Sequence, residues 1–219
     1  MSKINVCIVD DHNLFRKAMV RLLKTFKRVD KVYEAQHGKE LVQLLTTTVP
    51  DVVILDLEMP IMNGVETAEY ILPKYPDLKV IVLTQHDSEK FMLHMLEMGV
   101  HSFLLKNTNP DELEKAIVSV HDKDFYNNDL ISSVMRKSIS LKSAKPSFSK
   151  VAELSEREKE IFRLICEELS LKEISARLNI SDKTTQTHKA NIQAKLGVKN
   201  TVGMIKFAYE NGLINSTRF

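Results

Sequence analysis

Between residues 4 and 125 short apolar runs alternate with segments of helical periodicity, and this alternation restricts the fold more than any other feature of the chain. Four of the runs stop at a polar residue: Ile4–Val9 at Asp10 and Asp11, Val52–Leu55 at Asp56, Val80–Leu83 at Thr84, and Ser102–Leu105 at Lys106. A fifth short run is Lys31–Ala35. The intervening segments are Asn13–Thr25, with Leu14, Ala18, Leu22 and Leu23 on one face, and a stretch from Gly38 with Leu41, Leu44 and Leu45. They continue with a stretch after Pro60 and Gly64 carrying Val65, Ala68, Ile71 and Leu72, and the Met-rich Glu89–Met98. The last is opened by Asn109-Pro110 and carries Leu113, Ala116, Ile117 and Val120. Apolar residues three and four apart mark helices, whereas short continuous apolar runs mark buried strands. Five βα units in a row imply an α/β fold: a five-stranded, doubly wound parallel sheet with right-handed crossovers. Ligands of such sheets bind outside the carboxyl ends of the strands. Three carboxylates, a hydroxyl and an ammonium are therefore expected to meet in one crevice.

Those residue types suit one chemistry. Mg²⁺ is a hard cation, held by one or two carboxylates together with waters and substrate phosphate. Asp11 and Asp56 supply such ligands, with Asp10 as an outer or water-mediated partner. A carboxylate can also attack phosphorus to form an aspartyl phosphate, and Asp56, alone at the end of the central strand, is the best-placed nucleophile. Charge on a transferring phosphoryl group needs a cation, which Lys106 provides, and Thr84 can donate a hydrogen bond to it. Singly, Asp10-Asp11 reads as a strand-to-helix turn, Thr84 as a strand-end hydroxyl and Lys106 as a solvated cation. Four decorated strand ends together read as a site.

Composition sets the remaining bounds. The chain has 219 residues, 43% apolar and 27% charged, room for two ordinary soluble domains. The start meets acid after six mainly apolar residues, too few for the core of a signal peptide, and no run approaches the roughly 18 apolar residues of a membrane span. A cytoplasmic protein without a membrane partner is expected. Cys7 lies in the first strand run and Cys166 on a later helical face, as two buried thiols rather than a disulfide or a metal site. Net charge is +2, unevenly spread: residues 1–125 carry 15 Lys and Arg against 19 Asp and Glu, residues 126–150 carry 5 against 1, and residues 151–219 carry 11 against 9. An acidic front and a basic back suit a phosphate-handling module joined to a nucleic-acid reader.

Asp10-Asp11, Asp56-Leu57-Glu58-Met59-Pro60 with Asn63-Gly64, Thr84, and Phe103-Leu104-Leu105-Lys106 resemble the receiver domain of bacterial two-component response regulators. The resemblance covers about residues 3–122. It implies a flavodoxin-like domain phosphorylated on Asp56 by a partner sensor histidine kinase, with Mg²⁺ on Asp11, Asp56 and the backbone carbonyl of Glu58. It also implies a switch in which Thr84 moves toward the phosphate and Phe103 turns inward. Glu58 and His86 stand where the family tunes the lifetime of the phosphate. Asn107 follows Lys106 where many receivers have proline, and Phe103 lacks the hydroxyl of the frequent tyrosine.

The pattern changes after residue 125. Residues 126–150 read as a linker, helical around Leu130, Ile131, Val134 and Met135 and then a basic, flexible tether over Ser138–Lys150. Residues 151–219 read as four helices. Ser155 precedes Glu158 by three residues, a capping-box pattern, and Ile161, Leu164, Ile165 and Leu169 follow. A short helix Leu171–Leu178 comes next, then a turn in which Ser181 caps a helix from Asp182 to about Leu196. On that helix Thr185, His188, Ile192 and Leu196 project to one side, and Lys183, Gln186, Thr187, Ala190 and Ala194 to the other. A face of short, neutral and cationic side chains can enter a DNA major groove, while Lys172, Lys189, Lys195 and Lys199 would meet phosphates.

Leu154-Ser-Glu-Arg-Glu158, Lys172-Glu-Ile-Ser-Ala-Arg-Leu178, Ile180-Ser181, Thr184, His188, Asn191-Ile192, Lys195-Leu196-Gly-Val198 and Gly212-Leu-Ile214 resemble the LuxR-type helix-turn-helix. Together with the receiver this is the architecture of the NarL/FixJ subfamily of response regulators. It implies that the helix after Ser181 reads double-stranded DNA and that Val202–Asn211 contributes to a homodimer on DNA. Gln186 stands where lysine is frequent and Thr185 where valine is common; Gln186 could read adenine with a bidentate contact. The expected protein is a phosphorylation-controlled transcription regulator, a switch rather than an enzyme. A Mg²⁺-dependent phosphohydrolase with Asp56 as nucleophile is a rival reading, and needs a substrate pocket and a general acid, for which Glu58 is the only nearby candidate. A C-terminal module binding protein instead of DNA is another, and runs against the basic, small-residue face.

Overall fold

The computed structural model describes residues 2–85, 89–141, 153–211 and 213. His86, the part of the expected tether at 142–150, and Gly212 and Ile214 lie outside the described residues. The chain divides into two compact units, Met1–Asn127 and Asn128–Phe219.

In the first unit strands β1 (Ile4–Val9), β2 (Val29–Ala35), β3 (Val52–Leu55), β4 (Lys79–Thr84) and β5 (Ser102–Leu105) alternate with helices α1 (Asn13–Leu23), α2 (Gly38–Leu45), α3 (Gly64–Ile71), α4 (Glu89–Met98) and α5 (Pro110–Lys123). All pairings are parallel, in the order β2-β1-β3-β4-β5. The expected doubly wound sheet is thus present, with β1, β3 and β4 in its interior. Val52–Leu55 is completely buried, as a strand covered on both faces must be. The register pairs Val9 with Leu55, so β1 and β3 end level and Asp10 and Asp56 emerge side by side, while β4, paired to Leu55 through Val82, runs two residues further to Thr84.

The helices follow their apolar spacing, with one exception. Leu113, Ala116, Ile117 and Val120 of α5 are buried, as are Leu41 and Leu45 of α2. On α1 the expected face is displaced: Leu14 is 86% exposed and Ala18 is exposed, while Arg16, Met19 and Leu23 are buried. A cation at position 16 masked the inner stripe, because its side chain is buried by hydrogen bonding and not by apolar contact. Local punctuation is strong elsewhere. Asn63 and Glu66 form a capping box on α3, and Asn109 caps α5 with Pro110 in its first turn, each satisfying amides the helix leaves free.

The second unit holds α6 (Asp129–Leu141), α7 (Glu156–Cys166), α8 (Leu171–Leu178), α9 (Asp182–Leu196) and α10 (Thr201–Glu210). Capping boxes at Ser155/Glu158 and Ser170/Glu173 start α7 and α8, and Ser181 caps α9. Left-handed Asn179 and Gly197 end α8 and α9. A core of Leu154, Ile161, Leu164, Ile165, Ile174, Ile192, Leu196, Met204 and Phe207 draws α7, α8, α9 and α10 together. Helix α6 packs on α10 and buries Ile131, Val134 and Met135. Cys7 and Cys166 are buried free thiols, one in each unit, and burial pushes each up to about 12. No helix among the described residues is long and apolar enough to cross a membrane.

Candidate functional site

The strand ends converge as the alternation required. Lys106, just beyond β5, places Nζ 2.7 Å from Asp10 Oδ2 and 2.7 Å from Asp56 Oδ2, bridging the ends of β1 and β3. Asp10 and Asp56 are 1% and 3% exposed. Asp56 Oδ1 accepts the Leu57 N–H at 2.8 Å, and the Asp56 N–H donates to Val9 O at 2.9 Å, locking the carboxylate against β1. Thr84 is fully buried, and its carbonyl accepts the Lys106 N–H at 2.8 Å. Phe103 is also fully buried. Glu58 is exposed beside the crevice.

Electrostatics set the reactivity of these groups. Burial pushes the Asp56 carboxyl above its ordinary value; Lys106 pulls it down, Asp10 pushes it up, and the net shift remains upward. Burial works against the Lys106 ammonium, yet its bonds to Asp10 and Asp56 prevail and hold its pKa above the ordinary lysine value. Around this pair, Asp10, Asp11, His12 and Asp56 offer ligand atoms all within 4.8 Å of one another. Asp10 Oδ2 and Asp11 Oδ1 are buried oxygens on which no hydrogen-bond donor is aligned. What faces them is the Lys106 ammonium at 2.7 Å and His12 Nδ1 at 3.0 Å. An oxygen-rich set with unsatisfied lone pairs fits a hard divalent cation such as Mg²⁺.

Three supporting residues escaped the reading of the strand ends. Arg16 is 5% exposed; its Nη1 donates to the Asp10 carbonyl at 2.6 Å, Nη2 to Asn13 Oδ1 at 3.1 Å, and Nε to Glu34 Oε2 at 3.3 Å. It fixes the loop that carries Asp10 and Asp11, and its position four residues before neither a strand end nor a motif gave no signal beyond the Met19/Leu23 spacing. His12 is the second, set beside the acidic pair. Gly64 is the third: a Cβ there would lie 2.3 Å from Asp56 O and 2.7 Å from Leu57 Cα. Only glycine lets α3 begin against the Asp56 backbone, where the Gly64 N–H donates to Leu57 O at 2.9 Å.

In the second unit α8, the turn and α9 form a helix-turn-helix. Lys183, Gln186, Thr187 and Ala190 are exposed on one side of α9, and Lys172 and Lys199 are exposed nearby. Buried on the other side are Thr185, Lys189, Ile192 and Leu196. His188, expected there, is half-buried, and Lys189, expected toward phosphate, is 9% exposed. Lys195 donates to Glu158 Oε2 at 2.6 Å, which ties the end of α9 to the start of α7. That bond comes first among the causes that hold the Glu158 carboxyl below its ordinary value. Thr185 Oγ1 and Ser175 Oγ lie 2.7 Å apart in the buried seam between α8 and α9. This gives the threonine at 185 a partner that valine could not use.

Comparison with known proteins agrees with both halves. Residues 6–118 match the response regulator receiver domain, and residues 152–208 match the luxR family of bacterial regulatory proteins. The response regulator UvrY of Escherichia coli K12 is 33% identical over 215 residues, covering 97% of each chain. The transcriptional regulatory protein DegU of Brevibacillus brevis is 30% identical over 226 residues, covering 97% of this chain and 96% of its own. Among solved structures, the two-component response regulator RcsB in complex with DNA superposes with a TM-score of 0.57 at 26% identity, covering 95% of this chain and 99% of that one. The chain therefore belongs to the NarL/FixJ subfamily of response regulators, in which a receiver domain is joined to a LuxR-type DNA-binding domain in a transcriptional regulator.

Proposed function

We propose that Asp56 is the phosphoacceptor of this receiver and that its phosphorylation controls binding of the second unit to double-stranded DNA. The observation that carries this reading is the Lys106 ammonium 2.7 Å from both Asp56 and Asp10. A sensor histidine kinase would be the donor: an Asp56 oxygen attacks phosphorus, the P–N bond of the phosphohistidine breaks, and the imidazole leaves. Lys106, already held at the Asp56 oxygen, is in position to pair with the new phosphoryl oxygens. Asp10, Asp11, Asp56 and the Glu58 backbone carbonyl would hold Mg²⁺, which supplies positive charge to the transferring group. Thr84 and Phe103 would report the new charge, Thr84 by its hydroxyl and Phe103 by packing alone.

At the output end, Lys183, Gln186, Thr187 and Ala190 would enter the major groove, with Lys172 and Lys199 on phosphates. Lys189 and Lys195 were expected beside them; the burial of Lys189 and the bond from Lys195 to Glu158 support a part in setting the pose of α9, with any phosphate contact secondary. A homodimer, with α10 contributing, would match two half-sites. Cytoplasmic location follows from such a role. The test is phosphoryl incorporation from a small-molecule phosphodonor with Mg²⁺, followed by whole-protein mass. One phosphoryl group is expected on the native chain and none on Asp56→Asn; equal incorporation by the variant would overturn the assignment.

A further inference from the structure

We propose that α6 occupies the apolar surface through which α10 would pair with a second copy of the chain, so that the two contacts exclude each other. The proposal rests on the reading of α10 as a dimer helix and names what must leave before that helix can pair. Helix α10 carries two apolar stripes. At about 100° per residue, Met204, Phe207 and Ala208 share one side, and all three belong to the core that joins α10 to α7, α8 and α9. Val202, Ile205 and Tyr209, spaced i, i+3 and i+7, fall together on another side, outside that core. They are nonetheless buried, at 2%, 4% and 7% exposed.

The helix placed to cover this second stripe is α6, which packs on α10 without contributing to that core. It buries Ile131, Val134 and Met135, spaced i, i+3 and i+4, to 0%, 2% and 1% exposure. The remaining side of α10 offers a partner little. Gly203 and Lys206 there are half-buried, and a Cβ at Gly203 would lie 3.0 Å from Val198 Cβ, so this side backs onto the turn after α9. Among the described residues of α10 no apolar side chain is exposed. A second copy drawn to α10 by apolar contact therefore needs Val202, Ile205 and Tyr209, the stripe that α6 covers. Both helices belong to one unit of one chain, so α6 competes at an effective concentration on the order of 1 mM, far above that of a free second copy. Two DNA half-sites, by bringing two copies together, shift the competition toward pairing of α10.

The test compares the unphosphorylated full-length chain with Val134→Asp, by sedimentation for self-association and by titration with genomic DNA fragments selected with the native protein. A carboxylate at 134 cannot stay buried against α10, so α6 is expelled while the core of α7 to α10 is untouched. Val134→Asp should self-associate about 10-fold more tightly than the native chain and bind DNA more tightly by a similar factor. Val134→Ile, which keeps the contact, should match the native chain in both. Adding Ile205→Asp to Val134→Asp should abolish the gain. Hydrogen exchange of the native chain, free and saturated with DNA, needs no variant: α6 amides should lose protection on DNA while α10 amides keep theirs. A Val134→Asp protein that associates no more tightly than the native chain would overturn the proposal. A DNA-bound dimer whose α6 and α10 both stay protected would overturn it too, and would leave pairing through α10 standing. A double variant that dimerises as tightly as Val134→Asp, or a DNA-bound dimer in which α10 loses protection along with α6, would remove α10 pairing itself and the proposal with it.

Discussion

Asp56 is a buried carboxyl whose state is set by competing neighbours. Burial raises its pKa and Lys106 lowers it. Removing the ammonium without removing bulk should push it further up. In metal-free Lys106→Met, the Asp56 carboxyl followed by NMR through a pH titration should become protonated at a higher pH than in the native chain. An unchanged or lower midpoint would contradict the role given to Lys106. The same sign governs phosphorylation: as pH falls through the raised value the nucleophilic carboxylate is lost, earlier than for an ordinary aspartate. Chemistry at this scale was legible in the sequence, since Asp10, Asp56, Thr84 and Lys106 each stood at the end of an apolar run. Arg16 was not, because what it does depends on a backbone carbonyl that only the folded loop presents; Gly64 stood in the motif, but the Cβ-sized space that makes it necessary is defined only by the folded loop.

Elements were legible where one kind of force placed them. Strands buried on both faces and helices with a single apolar stripe follow from their periodicity, as β3 and α5 show. Periodicity misled on α1 and α9, where a buried Arg16 and Lys189 occupy inner positions that a scale of hydrophobicity assigns to solvent. The seam between α8 and α9 has the same character. Its Ser175–Thr185 hydroxyl pair replaces apolar contact with a hydrogen bond, and Ser175 also donates to Leu171 O at 2.7 Å. Thr185→Val should cost about 1 kcal/mol, because it removes one partner of a buried polar pair; adding Ser175→Ala should recover part of that loss. Chemical unfolding of the four proteins of the cycle measures the coupling. A coupling of zero would mean that the two hydroxyls act independently.

At the scale of the whole molecule, sequence reading places a phosphoacceptor in the first unit and a DNA-reading helix in the second. The acidic front holds the crevice proposed for Mg²⁺, and the cations proposed for DNA phosphates, Lys172, Lys183 and Lys199, are exposed, whereas Lys195 is committed to Glu158. The coupling proposed between the units is that charge placed on Asp56 changes what α9 can bind. It is tested most directly by measuring the affinity of the full-length chain for genomic fragments selected with it, at fixed salt, before and after treatment with a phosphodonor and Mg²⁺, in the native protein and in Asp56→Asn. The native affinity should shift on treatment while the variant's stays where it was. A variant that shifts as much as the native chain, or a phosphorylated native chain whose affinity does not move, would rule that coupling out.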